Sequence, residues 1–444
     1  MTEARRIRSN LAILSLTVAA FAGLLAAVLT TAVSFISQHT MEQQGKLTTG
    51  RQLNELAEED PPIEEESLIA MQFTADPYAD RDKIEMIQSG EAKLASLRLS
   101  PDSLAEGNDS GVYAIFCVFD DKLNKHDPAV YPTVDYMMQK SDHCIENKYT
   151  LPFNEVVEAV RSYDETPSGN EPLKRLPLSG MIFHEGFSGA TLIANALATF
   201  DNTLVISEHA AIRDALNACD YIRNRFNSDD CSSSKHQKLI EDVVTLLSRS
   251  ADSSIEHMYL KFDASSTVYL PLLRTIYPGA KWTFVHRKPE HVLAKSVEPK
   301  RNSCALTKRQ PSSFMSSKAA EYSLDLEELS THEVCAFHLS TLLDVASHEH
   351  ESTGTGLLIS YEGDLLQEGF LLNTVIPYLG LQQEIDANPS SAQTRVDQVL
   401  STKASVRGIH SHDVNSEWVQ GSEEYVPVSE EVRAASLLFM QTIV

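Results

Sequence analysis

Met181-Ile182-Phe183-His184-Glu185-Gly186-Phe187-Ser188-Gly189-Ala190-Thr191-Leu192-Ile193-Ala194-Asn195-Ala196-Leu197 reads as an apolar strand, a loop with two glycines and two hydroxyl residues, and a helix that opens directly from the loop. Such a loop aims backbone N–H groups at an anion, helped by the positive end of the helix, and its glycines permit close approach. The same pattern also fits an ordinary strand–turn–helix connection in which Ser188 or Thr191 caps the helix. It is not a Walker triphosphate loop, because no Gly-Lys pair followed by Ser or Thr closes it. Nor is it a hydrolase elbow, since Ala190 stands where the GxSxG pattern needs glycine.

Outward from this unit, strands are expected at about 180–184, 203–207, 257–262, 281–286 and 356–360. Helices fit near 190–199, 209–225, 235–250, 266–277, 289–296, 321–350 and 363–379. The strands are short, apolar and non-alternating, as in Trp282-Thr283-Phe284-Val285, which suits burial on both faces of a parallel sheet. The expected class is α/β, a parallel sheet with helices on both faces.

The rest of the chain supplies context. Leu11 to Ile36 carry no charge, long enough for a helix to span a hydrocarbon core of about 30 Å. Arg5, Arg6 and Arg8 precede this run and an acidic stretch follows it, so residues 1–10 are expected in the cytosol and the body on the lumenal side. A cleaved signal peptide is the alternative, with Ala32-Val33-Ser34 as its cleavage site. Residues 37–110 read as an acidic stem, 111–176 as the N-terminal part of the lumenal domain and 177–444 as the α/β domain. A lumenal body permits disulfides, and Cys219 with Cys231, flanking a short polar loop, is the favoured pair among six cysteines, with two free buried thiols as the alternative. Asn108-Asp109-Ser110 fits a glycosylation acceptor. The net charge of −25 argues against non-specific nucleic-acid binding, so an anionic ligand needs a local basic pocket. One such run exists: between Arg287 and Arg309 seven basic residues face two acidic ones, directly after an expected strand end.

Phe187-Ser188-Gly189-Ala190-Thr191-Leu192 resembles the 5′-phosphosulfate loop of the sulfotransferases, nearest to members whose loops read roughly FHxxFxxSTLL. Leu204-Val205-Ile206-Ser207-Glu208 is similar to a strand ending in Ser-Glu or Gly-Glu in several members, where the glutamate serves as base. Leu260-Lys261, Pro271-Leu272-Leu273 and Tyr277-Pro278-Gly279 resemble the run before the second cofactor element. That element matches Trp282 to Ser296, and Leu358-Ile359-Ser360-Tyr361-Glu362-Gly363-Asp364-Leu365 resembles a later strand ending in YExL. Phe187 departs from the family, whose better-known members place Lys or Arg there to neutralise the transition state.

The resemblance implies a P-loop-like sulfotransferase fold and sulfuryl transfer from 3′-phosphoadenosine 5′-phosphosulfate to an acceptor hydroxyl or amine, with no metal. In that reading Gly186, Phe187, Ser188, Gly189, Ala190, Thr191 and Leu192 hold the 5′ end, and Arg287 with Lys295 or Ser296 the 3′-phosphate. Glu208 is the base and His184 its competitor, the latter also fitting a hydrogen-bonded strand-end histidine. The acceptor, whether glycan, lipid, protein or small molecule, is not named by the sequence. The expected setting is a single-pass type II protein of the Golgi or another secretory-pathway membrane. Two alternatives stand beside it: a Golgi glycosyltransferase using a sugar nucleotide through Asp80-Arg81-Asp82, and a non-catalytic binding protein of the same fold. Lys403 and Arg407-Gly408 weakly match a C-terminal basic-glycine segment of some members.

Overall fold

The computed structural model describes residues 81–107, 110–128, 130–165, 174–227, 230–297, 304–401 and 428–439, all within one compact unit. The expected membrane span, most of the stem, the Asn108 sequon, Lys300, Arg301, Lys403 and Arg407 lie outside them. Among the described residues no helix is long and apolar enough to cross a membrane.

Among the described residues ten strands form three sheets. β1 (Ala92–Leu99), β2 (Val112–Val118) and β3 (Tyr149–Pro152) make an antiparallel sheet, and β4 (Lys174–Arg175) pairs with β7 (Arg249–Ser250). The main sheet contains β5 (Leu178–His184), β6 (Thr203–Ser207), β8 (His257–Lys261), β9 (Lys281–His286) and β10 (Leu357–Ser360), in the order β10-β9-β5-β8-β6. Every pair in it is parallel, with Ile182 between Lys261 and Thr283 in register.

This is the expected α/β class, and the apolar runs explain it. Met181, Phe183, Leu260 and Phe284 enter one core, while Ile182, Val205, Tyr259, Val285 and Ile359 enter the core on the opposite face. Neither face is left to solvent, so alternation in the sequence disappears. Each fully buried side chain of this size contributes roughly 1.5–3 kcal/mol. That readily offsets the ~1–3 kcal/mol carried by each strained residue at the strand ends.

Several boundaries differ from expectation. Residues assigned to the stem form the helix Lys83–Gln88 and β1, whose Leu94, Ala95 and Leu99 join the main core. Lys93, Ser96 and Arg98 between them masked the strand as polar sequence. The expected helix 209–225 is two, Ala210–Leu216 and Ala218–Phe226, because Asn217 turns its side chain back onto the Arg213 carbonyl. The expected helix 321–350 runs instead from Thr331 to Thr353, started by a reciprocal Ser330/Glu333 capping box. In place of one helix at 363–379 there are two π-turns, Tyr361–Leu365 and Leu371–Val375, and a short helical turn. All six cysteines are paired: Cys219–Cys231, as expected, together with Cys117–Cys144 and Cys304–Cys335.

The strand order places the site. From β5 the chain crosses to β6 two positions away, fills the gap with β8, then passes to the other side of β5 with β9. The direction of winding thus reverses at β5, and open α/β sheets bind ligands beyond the carboxyl ends of strands at such a point.

Candidate functional site

Five strand ends converge here: His184-Glu185 from β5, Ser207-Glu208 from β6, Lys261-Phe262 from β8, His286-Arg287 from β9 and Ser360-Tyr361-Glu362 from β10.

The loop after β5 turns through positive φ at Gly186 (91°), Phe187 (46°) and Gly189 (88°). Only at Phe187 does this burden a side chain, since glycine adopts such angles freely. Gly189 is required twice over, because a Cβ there would fall 2.5 Å from Tyr361 Cδ2. Gly189 is the N-cap of the helix Ala190–Ala198, and no side chain caps that helix. Neither Ser188 nor Thr191 therefore performs the purely structural role open to it. The first amides of a helix lack intrahelical partners, so this end keeps donors for a ligand. Ser188 is buried and its Oγ has no hydrogen-bond partner. A buried hydroxyl is costly to leave unpaired, and an oxyanion held in the loop would pair it. Ala190 and Leu192 point into the core, and Leu192 N–H is taken by the Gly189 carbonyl at 2.9 Å, which leaves the Ala190 and Thr191 amides at this helix end.

On the β9 side, Arg287 is gripped at three points. Its N–H donates to Glu185 Oε1 at 2.5 Å and its Nε to Glu362 Oε1 at 2.9 Å, while its guanidinium lies 4.7 Å from the Tyr361 ring centroid. Lys288 N–H reaches Glu362 Oε2 at 3.2 Å, and His291 Nδ1 lies 3.4 Å from Oε1. Ser296, at the end of the helix Pro289–Ser296, is buried and Lys295 half-buried. Burial pushes the Glu185 carboxyl up to about 8, with Glu362 adding to the rise and the Arg287 N–H opposing it. A neutral Glu185 spares a bound anion a repulsive neighbour. Below pH 8 the proton is already present and binding is unaffected by this group; above it, an anion must recruit the proton. Anion affinity is therefore expected to fall about 25-fold between pH 7.5 and 9.5. Calorimetric titration across that range would detect this, and Glu185→Gln should flatten the slope; an equal slope in that variant would refute it.

On the β8 and β6 side, Glu208 has φ of 52° and donates its N–H to the Lys261 carbonyl. Its carboxylate pairs with Lys261 Nζ and lies 3.7 Å from His184 Nε2. Burial alone would favour the protonated carboxyl, yet the Lys261 ammonium outweighs it and holds Glu208 well below the usual carboxylate range. His184 has both nitrogens engaged: Nδ1 accepts Gly186 N–H at 2.9 Å and Nε2 lies 3.0 Å from the Phe262 carbonyl oxygen. Burial, then Lys261, lower its pKa, so the ring is neutral and acts as a brace between loop and strand end. That geometry is the strand-end histidine rather than a free base.

The structure thus joins His184, Glu208 and the loop on one side, and the loop with Arg287 on the other. Sequence reasoning gave no role to Lys261, although it stands one strand from Phe187. Glu185 was missed altogether; its signal was an acidic residue directly after a fully apolar run. Of the Asp80-Arg81-Asp82 triplet, Asp82 caps the helix Lys83–Gln88 by accepting the N–H groups of Ile84 and Glu85, while Asp80 lies outside the described residues.

No protein-family model and no curated protein matches the sequence. Among solved structures, the chain is similar to the sulfotransferase STF9 from Mycobacterium avium, at 14% identity and a TM-score of 0.33 over 55% of this chain and 72% of that one. It is also similar to the sulfotransferase STF1 from Mycobacterium tuberculosis H37Rv, at 11% identity and a TM-score of 0.31 over 63% and 87% of the two chains.

Proposed function

We propose that the protein is a sulfotransferase, anchored by residues 11–36 in a Golgi or other secretory-pathway membrane, that transfers a sulfuryl group from 3′-phosphoadenosine 5′-phosphosulfate to an acceptor hydroxyl or amine. The observation that carries this reading is the uncapped loop Gly186–Thr191 with the buried, unpartnered Ser188 hydroxyl, joined to Arg287 through Tyr361. Loop amides, Ser188 and Thr191 would hold the 5′ end, and Arg287 with Lys295 or Ser296 the 3′-phosphate. The three disulfides suit a lumenal body.

In the transfer, the acceptor oxygen forms a bond to sulfur as the bond from sulfur to the phosphate oxygen breaks. Adenosine 3′,5′-bisphosphate leaves with the electron pair, and the acceptor proton passes to Glu208. Phe187 leaves the loop without the usual cation, and Lys261 supplies charge from the next strand. As negative charge builds on the leaving oxygens, the ammonium is drawn from Glu208, whose carboxylate then gains affinity for the proton.

Titrating the full-length protein in detergent with adenosine 3′,5′-bisphosphate tests the reading. Saturable binding that weakens when the 3′-phosphate is absent is expected, and no binding would end the proposal. Phe187 and the closed Glu208–Lys261 pair also favour a second reading, a binding protein of the same fold without turnover. Binding with no sulfuryl transfer to any hydroxyl or amine acceptor would decide for it. The anchor has its own test: the body should be protease-protected in sealed microsomes, and a mature N-terminus near Val33 or Phe35 would refute it.

A further inference from the structure

We propose that Tyr361 and Glu362 are positioning residues: they fix the plane of the Arg287 guanidinium for a phosphate group and tie it to the anion loop. This rests on the function proposed above. The two residues leave β10 in a π-turn that is itself braced, since Ser360 Oγ accepts Gly363 N–H and Asp364 accepts Ser360 N–H. From that turn, Glu362 takes Arg287 Nε on one oxygen and Lys288 N–H on the other. Lys288 is the N-cap of the helix Pro289–Ser296 and its side chain does not cap it, so the Glu362 carboxylate serves that helix end as well.

A carboxylate beside a phosphate site is at first sight a charge of the wrong sign. Its value lies in geometry. A guanidinium is planar, and fixing its Nε edge sets the direction of its Nη groups, from which a phosphate would be met. Tyr361 fixes the second coordinate, because its ring lies under the guanidinium and also abuts Gly189. One dipeptide therefore holds the arginine and the loop in a single arrangement before any ligand arrives, which lowers the ordering cost of binding.

The test is a double-mutant cycle read by calorimetric titration of the full-length protein with adenosine 3′,5′-bisphosphate, with thermal unfolding checked for each variant. Glu362→Ala should lose about tenfold in affinity and Glu362→Gln, which keeps an acceptor oxygen for Nε, about threefold. In an Arg287→Ala background, Glu362→Ala should cost nothing further and should recover the part of the loss that the stranded carboxylate adds by repulsion. A residue that merely supports the fold would instead give additive losses, and that result, or unchanged affinity in Glu362→Ala, would overturn the positioning role while leaving the function standing. Nitrogen-15 NMR supplies a readout without ligand: the Arg287 Nε–H should exchange slowly in the parent and rapidly in Glu362→Ala. Equal exchange in both would also overturn the proposal. A parent that does not bind the bisphosphate would overturn the function and, with it, phosphate as the group Arg287 is aimed at.

Discussion

Arg287→Ala is expected to weaken adenosine 3′,5′-bisphosphate binding by about 2–4 kcal/mol, or roughly 30- to 1,000-fold. The residue opens directly from the carboxyl end of β9, beside the strand that feeds the anion loop. Its side chain is only 9% exposed, so a contact to phosphate there is made with little competition from water. Truncation also leaves Glu362 facing the site with no cation beside it, which adds repulsion to the lost attraction. Thermal unfolding of the variant separates this from a loss of fold. Arg301→Ala is the control, since that residue shares the basic run but not the strand end. It should cost less than about threefold if it acts only through screened, long-range charge. Equal small losses from both would mean that the run steers anions without forming a site.

The parts of this site that were legible in the sequence are those written locally. The loop could be read because strand, glycines and helix are contiguous from Met181 to Leu197, and Arg287 because it follows a buried run and precedes a proline that begins a helix. The main-sheet strands were legible because burial on both faces leaves an unbroken apolar run. β1 was not, because Lys93, Ser96 and Arg98 interrupt it and acidic runs precede it. The electrostatic pairing was equally hidden. Glu362 meets Arg287 across 75 residues, Lys261 meets Glu208 across 53, and Glu185 reaches the Arg287 N–H across 102. No spacing rule links positions so far apart. The likeness to a base at Glu208 was visible, but the ammonium that holds its proton affinity down was a fact of packing.

That ammonium shapes the last expectation. Glu208→Gln should leave bisphosphate binding within a few-fold of the parent and reduce turnover at least about a hundredfold, since the amide keeps the shape and an acceptor oxygen but takes no proton. Helix capping does not explain the residue: the helix Ala210–Leu216 is capped by His209, whose side chain accepts Ala211 N–H. The competing explanation is a structural ion pair with Lys261. Breaking a pair with one fully buried partner costs about 3–5 kcal/mol, because the lone charge stays in the interior. Glu208→Gln should therefore also lower thermal stability, and Lys261→Met in the same chain should restore much of it by removing the stranded ammonium. Turnover should stay lost in that double variant if the carboxylate carries the proton, and stay lost further if Lys261 supplies the charge missing at Phe187. The pH profile adds an independent sign. A base must be unprotonated, and Lys261 holds Glu208 below the usual carboxylate range, so the acid limb of turnover should lie below pH ~4.5 in the parent. A folded Glu208→Gln variant with near-parental turnover would leave the pair as a clamp between β6 and β8. With both nitrogens of His184 engaged, the acceptor would then have to lose its proton to solvent.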